Sequence, residues 1–93
     1  MLKRIESGIS AKSLGFDYLD WVKNYAKKLR LKGTVFIKKD GSVKIIAEGE
    51  EHDLKKLTDK MEGNCLLFPT RNFYVKWEDP LNDFRDFSIG LQE

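Results

Sequence analysis

Most of the residues that could do chemistry in this sequence stand alone. His52 sits at the charged start of a helical segment with no second histidine and no cysteine at ligand spacing, so a metal role has no support. Cys65 lies in an apolar stretch and reads as a small buried hydrophobe. Asp53 and Asp59 alternate with Lys55, Lys56 and Lys60 as solvated helix charges. No Ser/His/Asp constellation and no GxxxxGK or GxGxxG pattern is present, which removes the common hydrolase and nucleotide-binding chemistries. The exception is a set at alternate positions of strand-like segments: Phe36, Lys38, Lys44, Ile46, Tyr74 and Lys76. Aromatic rings among lysines on an open sheet suit single-stranded nucleic acid, with rings stacking on bases and cations meeting phosphates. The same patch suits a protein partner or a second copy of the chain. The sequence lacks the aromatic signature of single-strand RNA modules, and its net charge is only +2, well below a dedicated nucleic-acid binder.

The elements that must position these residues follow from periodicity. Residues 3–10 alternate as a half-buried strand, and residues 11–16 form a small glycine-containing loop. From Tyr18 to Leu31 the period changes: Tyr18, Leu19, Val22, Tyr25, Ala26 and Leu29 fall on one helical face. Asp17 is the expected N-cap, and Gly33 lies just past the end. Lys23, Lys27, Lys28, Arg30 and Lys32 are read as the solvated face of this helix and the turn after it. Residues 34–39 and 42–48 are strands joined by Asp40-Gly41, a strong hairpin signal. A second helix follows, with Leu54, Leu57 and Met61 as its stripe and Gly63 at its close. Residues 72–78 alternate as a strand ended by Asp79-Pro80, and residues 83–89 offer a short last one.

The order β-α-β-β-α-β with a central hairpin predicts an α+β, ferredoxin-like sandwich: an antiparallel sheet with two helices on one face. Ile5, Ile9, Val35, Ile37, Val43, Ile45, Ala47, Phe73, Val75 and Trp77 are expected to face the helices. Ninety-three residues bury one core with little room for a deep pocket. With one cysteine, no secretory pattern and no apolar run of spanning length, the chain is expected in the cytoplasm and off the membrane.

Several segments together resemble the acylphosphatases: residues 26–35 (AKKLRLKGTV), the hairpin 40–49 (DGSVKIIAEG), and the tail 75–80 (VKWEDP) with 84–89 (FRDFSI). The spacing agrees from the first helix to the C-terminus, about three-quarters of the chain. The resemblance implies a sandwich of acylphosphatase type forming one domain over residues 1–93. It also implies hydrolysis of carboxyl-phosphate anhydrides without metal or cofactor. In the family, a glycine-containing loop before the first helix cradles phosphate on its backbone N–H groups, an arginine forks onto the phosphate oxygens, and an asparagine on the second strand orients the attacking water.

By this resemblance the family loop falls on Ser13, Leu14, Gly15, Phe16, Asp17 and Tyr18, with Lys12 the nearest cation. Gly15 and Tyr18 match the family's glycine and aromatic. The arginine position falls on Leu19 and the asparagine position on Ile37, neither of which offers a polar group. No arginine lies between Arg4 and Arg30, so no local slip supplies one. Asp17 would place a carboxylate at the helix end where the phosphate belongs. The expectation is therefore an acylphosphatase-like protein without the catalytic pair, serving as a binding or interaction module. The alternatives are weak acyl-phosphate hydrolysis by the loop N–H groups with Lys12, or single-stranded nucleic-acid binding on the open sheet face.

Overall fold

The computed structural model describes residues 1–11, 16–63 and 70–90. The element order is β1 (Leu2–Ala11), α1 (Phe16–Lys28), β2 (Lys32–Ile37), β3 (Val43–Glu50), α2 (Glu51–Gly63), β4 (Thr70–Glu78) and β5 (Phe87–Ile89). The strands form one sheet in the order β4-β1-β3-β2-β5. Pairs β1–β3, β1–β4 and β2–β3 are antiparallel. The last strand departs from the expected antiparallel sheet: β5 runs parallel to β2, matching Gly33 with Phe87 and Val35 with Ile89, so the sheet is mixed. A three-residue strand joined by the long 79–86 crossing carries too little pattern to reveal its direction.

The two faces follow the strand alternation. Ile5 pairs with Ala47, Ser7 with Ile45 and Ile9 with Val43, and all six are buried on the helix side. Packed with them in one apolar core are Leu19, Val22 and Ala26 of α1, Val35 of β2, Leu54, Leu57 and Met61 of α2, and Phe87 of β5. Helix α1 lies on β2 and β5, and α2 on β3 and β1. Edge strand β4 extends past this cover. Phe73 and Val75 are half-buried against the core, but Trp77, on the same face, stays 43% exposed.

Both ends of α1 differ from the sequence expectation. The helix starts at Phe16, so Asp17 sits inside its first turn rather than at the cap. At the other end the stop is Arg30, not Gly33. Arg30 adopts φ 60°, Leu31 N–H donates to the Ala26 carbonyl at 2.9 Å, and Arg30 N–H donates to Lys27 at 3.0 Å. These are the paired bonds of a left-handed helix cap, with an arginine where glycine is usual. Gly33 instead lies within β2, where a Cβ would meet the Ile46 carbonyl oxygen and φ is 149°. Arg30→Gly is expected to stabilise the fold by about 0.5–1 kcal/mol. Relief of ~1–2 kcal/mol of left-handed strain outweighs ~0.5–1 kcal/mol of added unfolded-state entropy. A thermal melt checks this, and an unchanged or lower midpoint would contradict it.

The β2–β3 hairpin turns through three residues. Gly41 N–H donates to the Lys38 carbonyl at 2.9 Å, Lys38 N–H to Ser42 at 2.7 Å, and Gly41 takes φ 89°. That is a type I turn followed by a one-residue bulge, which needs the Asp-Gly pair one step later than a two-residue loop would. Ser42 donates to Asp40 Oδ1 from both its hydroxyl, at 2.6 Å, and its N–H, at 2.9 Å. Those bonds hold the Asp40 carboxyl below its ordinary value. Among the described residues no helix is long and apolar enough to cross a membrane.

Candidate functional site

The resemblance puts the phosphate site where the chain leaves β1, enters α1 and faces the end of β2. Lys12, Ser13, Leu14 and Gly15 lie outside the described residues. Of the loop's remaining positions, Phe16 opens the helix, Asp17 is exposed in its first turn, and Tyr18 is half-buried. The Tyr18 ring lies 5.8 Å from Trp21, which stacks on Tyr25 at 5.7 Å, so three rings at helical spacing cover one flank of the core. Leu19 is 2% exposed and belongs to the same apolar core as Ile9 and Val43. Ile37 pairs with Val43 across the hairpin strands and packs against that core. Both residues to which the resemblance assigns the arginine and asparagine positions are hydrocarbon side chains packed in or against the core.

The opposite face carries the other predicted set. Tyr74, Lys76 and Lys38 are exposed, and Lys44 and Ile46 are half-buried. Lys44 is held by Glu6 across β1 and β3, Nζ to Oε1 3.2 Å. The Tyr74 ring lies across Gly8, where a Cβ would run into its Cε1, and Ser7 Oγ donates to the Tyr74 carbonyl at 2.8 Å. Glycine at position 8 is therefore the space that lets the ring lie flat on the sheet. A shallow groove of about 170 Å³ opens beside it, lined by Gly8, Lys38, Asp40, Ser42, Lys44 and Tyr74. Phe36 shares the face but is only 8% exposed, with Gly90 close by on the neighbouring edge. Burial beside Gly90 removes one of the two rings that the alternation placed there.

The other half of this face holds an arrangement that sequence reasoning missed. Arg4 and Glu48 face each other across β1 and β3 and are both nearly buried. Arg4 Nη1 donates to Glu48 Oε2 at 2.7 Å and to Asp83 Oδ1 at 3.1 Å. Glu78 stands 3.8 Å away, and the Phe84 ring lies 5.5 Å from the guanidinium carbon. Glu48 also accepts the N–H groups of Leu81, at 2.9 Å, and Asn82, at 3.0 Å. Burial opposes the Arg4 charge, but the hydrogen bonds to Glu48 and Asp83 outweigh it and hold the guanidinium above its ordinary value. The network pins the 79–86 crossing over that end of the sheet. The sequence signal was an Arg and a Glu at open-face positions of two strands, which alternation alone reads as solvent-facing.

Comparison with known proteins agrees with this fold. The acylphosphatase family model matches residues 14–89. The acylphosphatase of Paenarthrobacter aurescens (strain TC1) is 33% identical over 76 residues, which span 82% of this chain and 79% of that protein. The crystal structure of acylphosphatase from Bacillus subtilis superposes with a TM-score of 0.83 at 26% identity, covering 97% of this chain and 99% of that one. Full-length HypF, solved in its phosphate- and nucleotide-bound form, gives a TM-score of 0.85 at 25% identity. That match takes all of this chain and 12% of the HypF chain, so the fold also occurs inside a longer protein. This chain belongs to the acylphosphatase family.

Proposed function

We propose that this chain is a catalytically silent acylphosphatase, keeping the family's scaffold as a binding module. The observation that carries this is Leu19: 2% exposed, within the core, and at the position where the family places the arginine that grips phosphate. A leucine donates no hydrogen bond, and a packed one holds no water in reserve for the task. Ile37 repeats the argument at the second strand, where a water must be oriented. Removing a preorganised donor costs ~2.7–4 kcal/mol of transition-state stabilisation, or two to three powers of ten in rate. Two such losses leave little for loop N–H groups to supply. Asp17, exposed in the first turn of α1, sets a carboxylate beside the end of the helix that would receive the anion.

The family's chemistry uses no metal and no cofactor. A chain with one cysteine suits the reducing cytoplasm. Binding rather than turnover then falls to the open sheet face around Tyr74. Nucleic acid is the weaker occupant, because single-strand modules stack two or three bases and Phe36 is buried.

Hydrolysis of benzoyl phosphate by the purified protein, measured against buffer and an intact acylphosphatase, tests the reading. The expected rate is that of buffer. The second reading, weak hydrolysis, rests on the 33% identity to an acylphosphatase. It predicts a slow turnover inhibited by inorganic phosphate and lost on Gly15→Val.

A further inference from the structure

We infer that β4 pairs antiparallel with β4 of a second copy of this chain, about a two-fold axis passing through Val75. The two edges of the sheet are unequal. On one side β5 is three residues long. On the other, β4 runs for nine residues, and among the described residues nothing pairs with its outer side. Its register with β1 is unbroken from Arg4↔Glu78 to Ser10↔Asn72, the only shift lying beyond it, between Ser10 and Ala11. No proline interrupts residues 70–78. A long, regular, proline-free edge presents a row of free N–H and carbonyl groups, which natural sheets blunt or cover.

The side chains along this edge are arranged as half of an interface. Trp77 is 43% exposed on the helix side, and Tyr74, its ring turned inward over Gly8, is 46% exposed on the open side, so each face leaves ring surface uncovered along this strand. Phe73 and Val75 are half-buried beside Trp77, and Lys76 is exposed beside Tyr74.

Self-complementarity selects the register. In an antiparallel pair, residues directly opposite share a face and interact most strongly. With the axis at Val75, Phe73 stands opposite Trp77 of the second copy and Tyr74 opposite Lys76 of the second copy. Each contact occurs twice, ring on ring on one face and, on the other, the long Lys76 side chain of the second copy reaching across to the ring that lies over Gly8. With the axis at Lys76, that lysine meets its own copy, a like-charge pair that opposes the register. An axis at Trp77 sets Tyr74 opposite Pro80, which has no N–H for the ladder. An axis at Tyr74 separates Trp77 from Phe73 of the second copy. Only the Val75 register gives both exposed rings complementary partners. It also keeps the helices of both copies on one side of a sheet twice the size of the single chain's five strands.

Sedimentation analysis of the intact chain from micromolar to millimolar concentration is expected to show a monomer–dimer equilibrium. Tyr74→Lys faces lysine with lysine twice, whereas Tyr74→Glu faces lysine with glutamate twice. Both variants lose the same ring, so folding costs are matched, and Tyr74→Glu is expected to dimerise at least about tenfold more tightly than Tyr74→Lys. In a Cys65→Ser background, Val75→Cys sits opposite itself at a Cα separation of about 4.5–5.5 Å, within disulfide reach, and is expected to cross-link under mild oxidation. Tyr74→Cys in the same background is expected not to. A monomer at every concentration with Val75→Cys uncross-linked would overturn the inference. So would a dimer indifferent to the charge at position 74 whose Val75→Cys fails to cross-link, since it would be built on another surface. None of these outcomes bears on acyl-phosphate turnover, which is decided by the hydrolysis assay alone.

Discussion

Leu19→Arg combined with Ile37→Asn is expected to raise benzoyl phosphate hydrolysis about a hundredfold over the wild-type chain. Each restored group is worth two to three powers of ten in a fully preorganised site. The return is smaller here because Asp17 still sets a carboxylate in the first turn of α1. Adding Asp17→Asn, which keeps the size and removes the charge, is expected to raise the rate further. Neither single substitution is expected to do much, since groups that act as a unit are strongly non-additive. The exchange costs stability. Leu19 is 2% exposed, and giving up its burial loses about 1.5–3 kcal/mol, part of which the arginine's aliphatic stem recovers by staying in the core while its head reaches the helix end. Ile37 is already half-buried at the end of β2, so an asparagine there keeps access to water. A near-ultraviolet circular dichroism spectrum and a thermal melt must accompany the assay. A folded double variant still at the buffer rate would mean that the silence lies in the loop backbone, and the assignment of the loss to these two side chains would fail.

The places of Leu19 in α1 and Ile37 in β2 were legible because the sequence signals on either side of them are local. Gly33-Thr34-Val35 and Asp40-Gly41 bracket Ile37, and the helical stripe Val22, Tyr25, Ala26 and Leu29 fixes Leu19 by counting back along α1. Alternation likewise assigned the faces of β1 to β4 correctly. Alternation reports which way a residue points and says nothing of what lies above it. Trp77 points to the helix side yet stays exposed, because it lies on the edge strand, away from β3 and β1 where α2 packs. Phe36 points to the open face yet is buried, because Gly90, 54 residues further on, returns beside it. The helix stop at Arg30 was hidden for another reason. A left-handed arginine costs free energy, and sequence reading assigns that conformation to the nearest glycine. The parallel pairing of β5 and the Arg4–Glu48 contact are long-range facts with no local trace.

Replacing Glu48 by alanine is expected to lower stability by about 3–5 kcal/mol, a large share of what a chain this size possesses. The carboxylate is 6% exposed, and both its oxygens are engaged, by Arg4 and by the N–H groups of Leu81 and Asn82. Alanine leaves three donors facing a cavity. Arg4 keeps Asp83 and Glu78, at 3.1 and 3.8 Å, but both lie toward solvent. The two backbone N–H groups lose their acceptor in the protein, and they belong to the segment that crosses the open face. Asn82 holds φ 56° there, a conformation that needs its surroundings to persist. Glu48→Gln tests how much of the loss is charge: its amide oxygen accepts from one neighbour while its NH₂ meets another donor, so it is expected to fall between wild type and alanine. The pair Arg4→Met with Glu48→Met separates two explanations. Where an ion pair stands alone, apolar replacement is often neutral. Here the N–H groups of Leu81 and Asn82 lose their carboxylate acceptor, and with it the tie that holds the 79–86 crossing, whatever becomes of Arg4. The double variant is therefore expected to remain well below wild type in urea unfolding. If it matched wild type, Glu48 would serve Arg4 alone, and the 79–86 crossing would be held over the sheet by something other than this carboxylate.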